Sequence, residues 1–426
     1  VNLVTIDGPK IIGVPIYYNG EGPDEEQMYK ADNLMKKTYP YSNYTFIPKL
    51  EYILNSACDP NNKGCFITQL PNQLGIIIKD YNRNNQDNRA SLIYGFLNKN
   101  TGFASGISYP PAGESEYDFG VAMSKTYSHN HLLGQIFSHE LIHQYNLWLD
   151  PENYDVNANG GSIIKKDQGA YDTSLGITAF KRYNTLLHYY SNLSRRTIMG
   201  KTMEQLDQGN PFDPTRAYWI DQDDYEYIYD AELEEQNNAK KGMMSGAVLD
   251  ISGIIYPDDS TYLNPWHIFD GAYTPDGPDP AGEYSVQLLD GSTVLYEHTF
   301  NLSQVSGGDE VATGPFALTL PWNANTDTVS ILHNDTVIAT RTLSANAPTV
   351  TVVAPNGGES WTGQQTISWQ ASDADNDDLT YSVYYSSDNG MSWRVLASDY
   401  DQNSFNWDTT AVGGCDDCLV KVEAND

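Results

Sequence analysis

The segment at residues 130–146 constrains the fold more than any other stretch of the sequence. Its apolar residues recur with the period of an α-helix, as at Leu133, Phe137 and Leu141. A helix that is apolar over most of its circumference has to be buried. We therefore expect a central, buried helix around which the rest of its domain packs.

The C-terminal end of this segment carries His139, Glu140 and His143. Residues four apart lie one turn apart on the same face of a helix, so the two imidazoles can bind one zinc ion. Glu140 lies beside them, where it can take a proton from water at the metal without being a ligand. The sequence thus predicts zinc as a cofactor and Glu140 as a general base. The competing interpretation is a buried helix in which two hydrogen-bonded histidines match the pattern by chance.

These residues resemble the metzincin-like branch of the HExxH metallopeptidases, whose pattern is HExxHxxGxxH followed by a Met-turn. Thr197-Ile198-Met199-Gly200 is similar to that turn, and the resemblance places Met199 beneath the metal site. The chain departs from the pattern at Asn146, which replaces the Gly, and at Leu149, which replaces the third His. Leu cannot ligate zinc, and a catalytic zinc ion commonly has three protein ligands.

Asp150 is the donor nearest to that third position. Some related families, including immune-inhibitor-type bacterial metallopeptidases, use an Asp close after the HExxH helix, so the resemblance implies Asp150 as the third ligand. Residues 169–176 are also similar to the GTxDxxYG motif of aspzincins, which makes Asp172 the rival ligand. Asp172 can equally be the N-cap of the helix predicted after it. Glu152 and Asp155 are further candidates.

The order of the predicted elements indicates the fold class of residues 1–240. A helix is predicted from Pro23 to Lys37, and strands are predicted at 10–18, 45–53, 74–80, 91–97, 102–108 and 119–124. A mixed sheet followed by a central helix is typical of an α+β domain, which the resemblance makes a zincin-type catalytic domain. The resemblance also implies that the strand near 102–108 is an edge strand that holds an extended peptide by main-chain hydrogen bonds.

The pattern of apolar and turn-forming residues changes after a polar stretch at residues 231–241. Short alternating runs broken by Gly, Pro and Asp are typical of all-β sandwiches. We expect one sandwich at 245–345 and a second at 347–426, and the latter resembles the Ig-like or fibronectin-III modules of secreted enzymes. Such modules act as spacers, or as anchors to substrate or to a cell surface. The loop with Asp373, Asp375, Asp377 and Asp378 could hold calcium or could be a solvated turn.

Charge and cysteine content limit the environment and the partners of the chain. The sequence has 24 Lys and Arg against 56 Asp and Glu, a formal charge of -32, which argues against nucleic acid and anionic membranes as partners. No apolar run reaches the length of a membrane span. The four cysteines form two local pairs, Cys58 with Cys65 and Cys415 with Cys418, which predicts two disulfides and an oxidising compartment.

Together these features predict a secreted zinc-dependent endopeptidase that acts on a protein or peptide. In this hypothesis His139, His143 and Asp150 bind zinc and Glu140 is the catalytic base. The alternative is an extracellular binding or adhesion protein with a structural or vestigial metal site. The loss of the third His favours the alternative, whereas a purely structural site would have no use for Glu140.

Overall fold

The computed structural model describes the chain at residues 7–33, 43–47, 54–102, 106–109, 120–126, 137, 141, 148–149, 154–156, 162–165, 195–197, 217–219, 244–273, 282–302, 314–412 and 414–426. Within these ranges there are two α-helices, Glu25–Met28 (α1) and Leu70–Asn84 (α2). The remaining regular structure is almost entirely β-strand, distributed over several sheets.

The N-terminal sheet is largely parallel. Its strands are Asp7–Tyr17 (β1), Asn43–Ile47 (β2), Leu54–Asn55 (β3), Leu92–Leu97 (β4), Gly106–Tyr109 (β5) and Gly120–Lys125 (β6). They are ordered β2-β1-β4-β6-β5, and β3 pairs with β1 off this path. Strands β1, β2, β4 and β6 run parallel, whereas β5 runs antiparallel to β6 at the end of the order.

This architecture corrects the predicted fold class. The prediction of an α+β zincin-type catalytic domain followed by two all-β sandwiches is wrong, because the described chain is mostly β-strand with only two α-helices. An α+β domain segregates its helices from an antiparallel sheet. Here the N-terminal sheet is parallel except at one edge, and a hairpin cannot join neighbouring parallel strands.

Helix α2 occupies the stretch where a strand was predicted at 74–80, and that prediction is wrong. The run from Gly75 to Ile78 has the β-branched composition of a strand. Over the longer window, however, Leu70, Leu74 and Ile77 are buried at helical spacing. They pack in one core with residues of β1 and β4, such as Val14 and Ile93. The helix forms because only its 3.6-residue period presents this apolar stripe to the sheet.

The predicted helix from Pro23 to Lys37 is much shorter in the described residues. Helix α1 covers one turn, and the side chain of Asp24 caps it by accepting a hydrogen bond from the backbone N–H of Gln27. A 3₁₀ turn follows at Ala31–Asn33. The strands predicted at 10–18, 91–97 and 119–124 are present as β1, β4 and β6.

Five short strands follow in the middle of the chain. They are Trp148–Leu149 (β7), Tyr154–Val156 (β8), Ser162–Lys165 (β9), Arg195–Thr197 (β10) and Ala217–Trp219 (β11). Strands β7, β8 and β9 form an antiparallel sheet, and β10 pairs parallel with β11. The helix predicted after Asp172 lies outside the described residues.

Two sheets form what we call the second unit, residues 244–342. The first contains Met244–Ile255 (β12), Thr261–Leu263 (β13), His267–Tyr273 (β14) and Gly314–Pro321 (β17). The second contains Tyr284–Asp290 (β15), Thr293–Phe300 (β16), Thr328–His333 (β18) and Thr336–Thr342 (β19). Their facing side chains share one apolar core that includes Ile251, Leu288 and Phe316.

The third unit, residues 349–425, also has two sheets. One contains Thr349–Ala354 (β20), Gln364–Ser372 (β21) and Ser404–Asp408 (β24). The other contains Thr380–Ser386 (β22), Arg394–Tyr400 (β23) and Leu419–Asn425 (β25). Trp369, Val383 and Trp407 lie in the core that they share.

Candidate functional site

The predicted zinc ligands His139, His143 and Asp150 and the predicted base Glu140 lie outside the described residues, as do the alternatives Asp172 and Glu152. Asp155 is described only as part of the backbone of β8, where it pairs with Leu149 and with Ile164. The structure therefore tests neither the ligand set nor the role of Glu140, and both remain predictions.

The apolar segment that carries the motif is described at two positions, one before the motif and one within it. Phe137 and Leu141 both have helical backbone and are fully buried. The ring centroid of Phe137 lies 4.6 Å from that of Tyr94 and 5.3 Å from that of Phe46. Phe137 also stacks on Phe96 at 6.3 Å. Phe137, two residues before His139, is thus packed on strands β2 and β4 of the N-terminal sheet.

This contact lies on the face of the sheet opposite α2. Successive side chains of a strand point to opposite faces, and on β4 the side chain of Ile93 joins the core that contains α2. Tyr94, the next residue, contacts Phe137. Among the described residues, the sheet is therefore packed on one face by α2 and on the other by Phe137.

Strand β5 forms one end of the strand order, as predicted for the strand near 102–108. Gly106 pairs with Ser124 and Ile107 with Met123 of β6, so one edge of β5 is occupied. Among the described residues, no strand pairs with its other edge. An edge strand is the position of a sheet to which an extended chain can be added.

The segment predicted as a Met-turn begins at the last residue of β10. Thr197 pairs with Trp219 of β11, so the backbone is fixed immediately before the turn. Met199 lies outside the described residues, and its place relative to the motif stays a prediction.

The acidic loop predicted as a calcium site is fully described. Asp373, Asp375 and Asp377 each have a carboxylate oxygen within 4.8 Å of the others. Asn346 donates two hydrogen bonds of 2.8 Å to Asp375, one from its backbone and one from its side chain. The hydrogen bond from the Asn346 side chain is the main cause that lowers the pKa of Asp375. The loop thus ties the connection between the second and third units to β21, and calcium stays a prediction.

The first predicted disulfide is present: Cys58 and Cys65 are bonded. The sulfur atoms of Cys415 and Cys418 are paired as well. No helix within the described ranges is both long enough and apolar enough to cross a membrane.

Sequence reasoning missed a set of charged residues on the outer face of α2. Lys79, Asp80 and Arg83 are buried although each is ionisable. Lys79 contacts Asp250 of β12 at 3.0 Å. Arg83 donates to Asp80 at 2.8 Å and to Glu423 of β25 at 3.1 Å. A charge triplet in an otherwise apolar helix was the available signal, because such residues are buried only when they have partners.

Asp80 connects the same helix to the third unit. Its Oδ2 atom accepts hydrogen bonds from the hydroxyls of Ser382 and Ser398, on β22 and β23. Tyr384 accepts a hydrogen bond of 2.9 Å from Arg83 and donates one of 2.9 Å to Glu423. Helix α2 is therefore the common support of the N-terminal sheet and of both C-terminal units.

Comparison of the sequence with models of known protein families and with curated proteins finds no match.

Proposed function

We propose that the chain is a secreted zinc-dependent endopeptidase. His139, His143 and Asp150 would hold the metal, and Glu140 would be the general base. The single observation that carries this proposal is the HExxH motif at the end of an apolar segment. The burial of Phe137 and Leu141 supports it, and so do the ring contacts of Phe137 with the N-terminal sheet, because they place residue 137 against a packed layer.

The geometry of a helix supports the orientation of the ligands. At 3.6 residues per turn, His139 and His143 fall roughly half a turn away from Phe137 and Leu141. A helix that buries Phe137 and Leu141 on the sheet would therefore present both imidazoles on its other side. Glu140 would lie beside them, between the ligand face and the packed face.

The predicted donor set suits zinc, which accepts imidazole nitrogen and carboxylate oxygen and keeps an open position in catalytic sites. Bound zinc would supply Lewis acidity at the scissile carbonyl and would lower the pKa of the attacking water. Glu140 would take the proton of that water and then deliver it to the leaving amine. Strand β5 would hold the substrate backbone as an added strand, since its outer edge is unpaired among the described strands.

The secreted location rests on the Cys58–Cys65 disulfide, which persists in oxidising compartments. The high negative charge of the chain also favours solubility and disfavours nucleic acid as a partner. Calcium in the loop at Asp373 would be an accessory ion of the third unit rather than part of the reaction.

The test is a mass-spectrometric cleavage assay on a peptide mixture, run with the wild type and with Glu140→Ala. Zinc content is measured on the same samples. We expect cleavage by the wild type, retained zinc in Glu140→Ala and no cleavage by that variant. Glu283→Ala, which removes an exposed carboxylate of the second unit, is the matched control and should cleave normally.

Equal cleavage by wild type and Glu140→Ala, with zinc in both, would contradict the proposal. A second candidate is an extracellular binding protein with a structural metal site, and the Leu149 substitution for the third His favours it. That candidate predicts zinc held by four protein ligands, no cleavage by the wild type, and no effect of Glu140→Ala.

A further inference from the structure

A cavity of about 440 Å³ lies where α2 meets both C-terminal units. Its size falls within the range of about 300–1,000 Å³ that is typical of small-molecule sites. Its walls come from the N-terminal part of the chain and from the second and third units, and they consist of Leu54, Gln69, Asn72, Gln73, Ile76, Ile254, Tyr256, Tyr262, Ser398 and Asp399. Asp399 is the only charged residue in this lining.

The carboxylate of Asp399 is partly buried and accepts no hydrogen bond from any residue in the described part of the chain. Its neighbour Ser398 donates its hydroxyl to Asp80 instead. Arg341 is the cation whose charge acts on Asp399, but its guanidinium donates to the carbonyl oxygens of Asn264 and Leu263 and does not line the cavity. A desolvated carboxylate without a donor is costly unless a ligand supplies one.

The backbone of Asp399 has an uncommon conformation. Its φ is 48°, in the left-handed region, although it lies within β23. Asp tolerates this region better than most residues, yet it remains uncommon for a non-glycine residue. Uncommon backbone conformations of this kind cluster at functional sites, and Asp399 lines a cavity.

Two tyrosines, three side-chain amides and a serine complete the polar surroundings. Tyr256, Tyr262 and Asp399 line the same cavity. Burial raises the pKa of Tyr262, and so do the charges of Asp399 and Tyr256. Tyr262 is 50% exposed. Gln69 and Gln73 lie on the α2 side, and their carbonyl oxygens can accept hydrogen bonds.

We propose that this cavity is a binding site for a guanidinium group, with Asp399 as its counter-ion and Tyr262 as its stacking surface. A guanidinium is planar, so it can pair with a carboxylate through two N–H groups and stack on an aromatic face. Its remaining N–H groups would reach the amide oxygens of Gln69 and Gln73. The ligand is thus an arginine side chain of a peptide or a small molecule with the same group. This site does not depend on the proposed peptidase activity.

The electrostatic setting agrees with a cationic ligand. The lining contains an acid and no Lys, Arg or His, and the formal charge of -32 attracts cations at long range. Burial raises the pKa of Asp399, and so do the charges of Asp80 and Asp401, while Arg341 lowers it. Ligand binding should therefore weaken as the pH falls, and it should do so at a higher pH than for an ordinary Asp.

The experiment is an NMR titration of the full chain with argininamide, in parallel with lysinamide and glucose. We expect saturable chemical-shift changes with argininamide. Lysinamide should bind at least tenfold more weakly, and glucose should not bind. Asp399→Asn should weaken argininamide binding at least tenfold. Asp401→Asn is the matched control, because Asp401 is an exposed acid two residues away that does not line the cavity.

A thermal melt of each variant checks that it is folded. If Asp399→Asn fails to fold, Tyr262→Leu takes its place, because Tyr262 is half exposed and lies on the edge strand β13. That variant should lose several-fold in affinity for argininamide, and Tyr262→Phe should keep it. The absence of argininamide binding, equal binding by Asp399→Asn, or equal affinity for lysinamide or glucose would overturn the proposal.

Discussion

The ammonium nitrogen of Lys79 lies 3.0 Å from Oδ1 of Asp250, and each side chain is only 8% exposed. Lys79 belongs to α2 and Asp250 to β12, so this ion pair joins the N-terminal sheet layer to the second unit. Lys79 also donates to the carbonyl oxygen of Leu318, and Thr319 donates to Asp250 at 2.5 Å. The pair is thus buried, hydrogen-bonded and part of an interface.

Removal of one partner of this pair should destabilise the chain strongly. Lys79→Met leaves Asp250 buried without its cation, and we expect a loss of about 3–5 kcal/mol in the free energy of unfolding. The double variant Lys79→Met, Asp250→Val should lose less than Lys79→Met alone, because no charge is then left unpaired. Urea denaturation measures both. Lys30→Ala, at the exposed Lys30–Glu26 pair, is the control and should leave stability unchanged.

The pH dependence of stability should report on Glu423. Burial raises the pKa of Glu423, but the charges of Arg83 and Lys421 outweigh burial, and the net pKa lies below its usual 4.5. A carboxylate with a lowered folded-state pKa stabilises the fold above its unfolded pKa. That contribution is lost as the pH falls through the lowered value.

We therefore expect the wild type to lose stability below about pH 4.5 more steeply than Glu423→Gln. Urea denaturation at a series of acidic pH values measures the two slopes. Glu283→Gln, an exposed carboxylate, is the control and should follow the wild type. Identical slopes for Glu423→Gln and the wild type would show that the Arg83–Glu423 contact does not form in solution.

Phe137 should determine both stability and metal binding. Its ring is fully buried among Phe46, Tyr94 and Phe96. Phe137→Ala should lower the free energy of unfolding by about 3–5 kcal/mol, because the neighbouring side chains cannot fully fill the space that the ring leaves. If the segment positions His139, zinc affinity should fall with it. Val337→Ala, at a side chain that is 56% exposed, should change neither. Unchanged melting and zinc content in Phe137→Ala would mean that the segment does not dock on the sheet.

The third zinc ligand can be identified by single substitutions. Asp150→Asn should weaken zinc binding by at least tenfold, because an amide is a poorer zinc ligand than a carboxylate. Asp172→Asn, Glu152→Gln and Asp155→Asn should retain the metal. Competition with a chromogenic chelator measures the affinities. Loss of zinc in Asp172→Asn with normal binding in Asp150→Asn would transfer the role to Asp172.

The disulfide between Cys58 and Cys65 closes a short loop just before α2, with a sequence separation of 7. Replacing both cysteines by alanine should lower the free energy of unfolding by about 2 kcal/mol, since short loops restrict the unfolded chain less than long ones. A reducing agent should lower the stability of the wild type more than that of the variant, which keeps only the Cys415–Cys418 pair. Equal sensitivity of both proteins to reduction would assign the effect to Cys415 and Cys418.

Local pattern in the sequence was sufficient for three strands of the N-terminal sheet. The apolar runs at 10–18, 91–97 and 119–124 are present as β1, β4 and β6, because buried parallel strands read as continuous apolar runs. The edge position of β5 also agrees with the prediction for the strand near 102–108. The same local reasoning failed at 74–80, where β-branched residues favoured a strand and the wider helical spacing decided otherwise.

The fold class could not be derived from the sequence, because it depends on which strands pair. An α+β arrangement was expected, yet the pairing of β1 with β4 and of β4 with β6 is parallel and non-local. The spacing of apolar residues within a strand does not show which distant strand it pairs with. The charged side of α2 shows the same limit, since Lys79 and Arg83 look like a solvated face until β12 and β25 are placed against them.

The sequence by itself determined the HExxH motif, the two cysteine pairs, the excess of acidic residues and the change in residue pattern after residue 241. Each of these depends on residue identity and short spacing. Only the tertiary structure decided that α2 supports the N-terminal sheet and both C-terminal units, and that Asp399 and Tyr262 line one cavity. The reason is physical, since burial and Coulomb interactions depend on distances in space, and Lys79 and Asp250 are brought to 3.0 Å only by the fold.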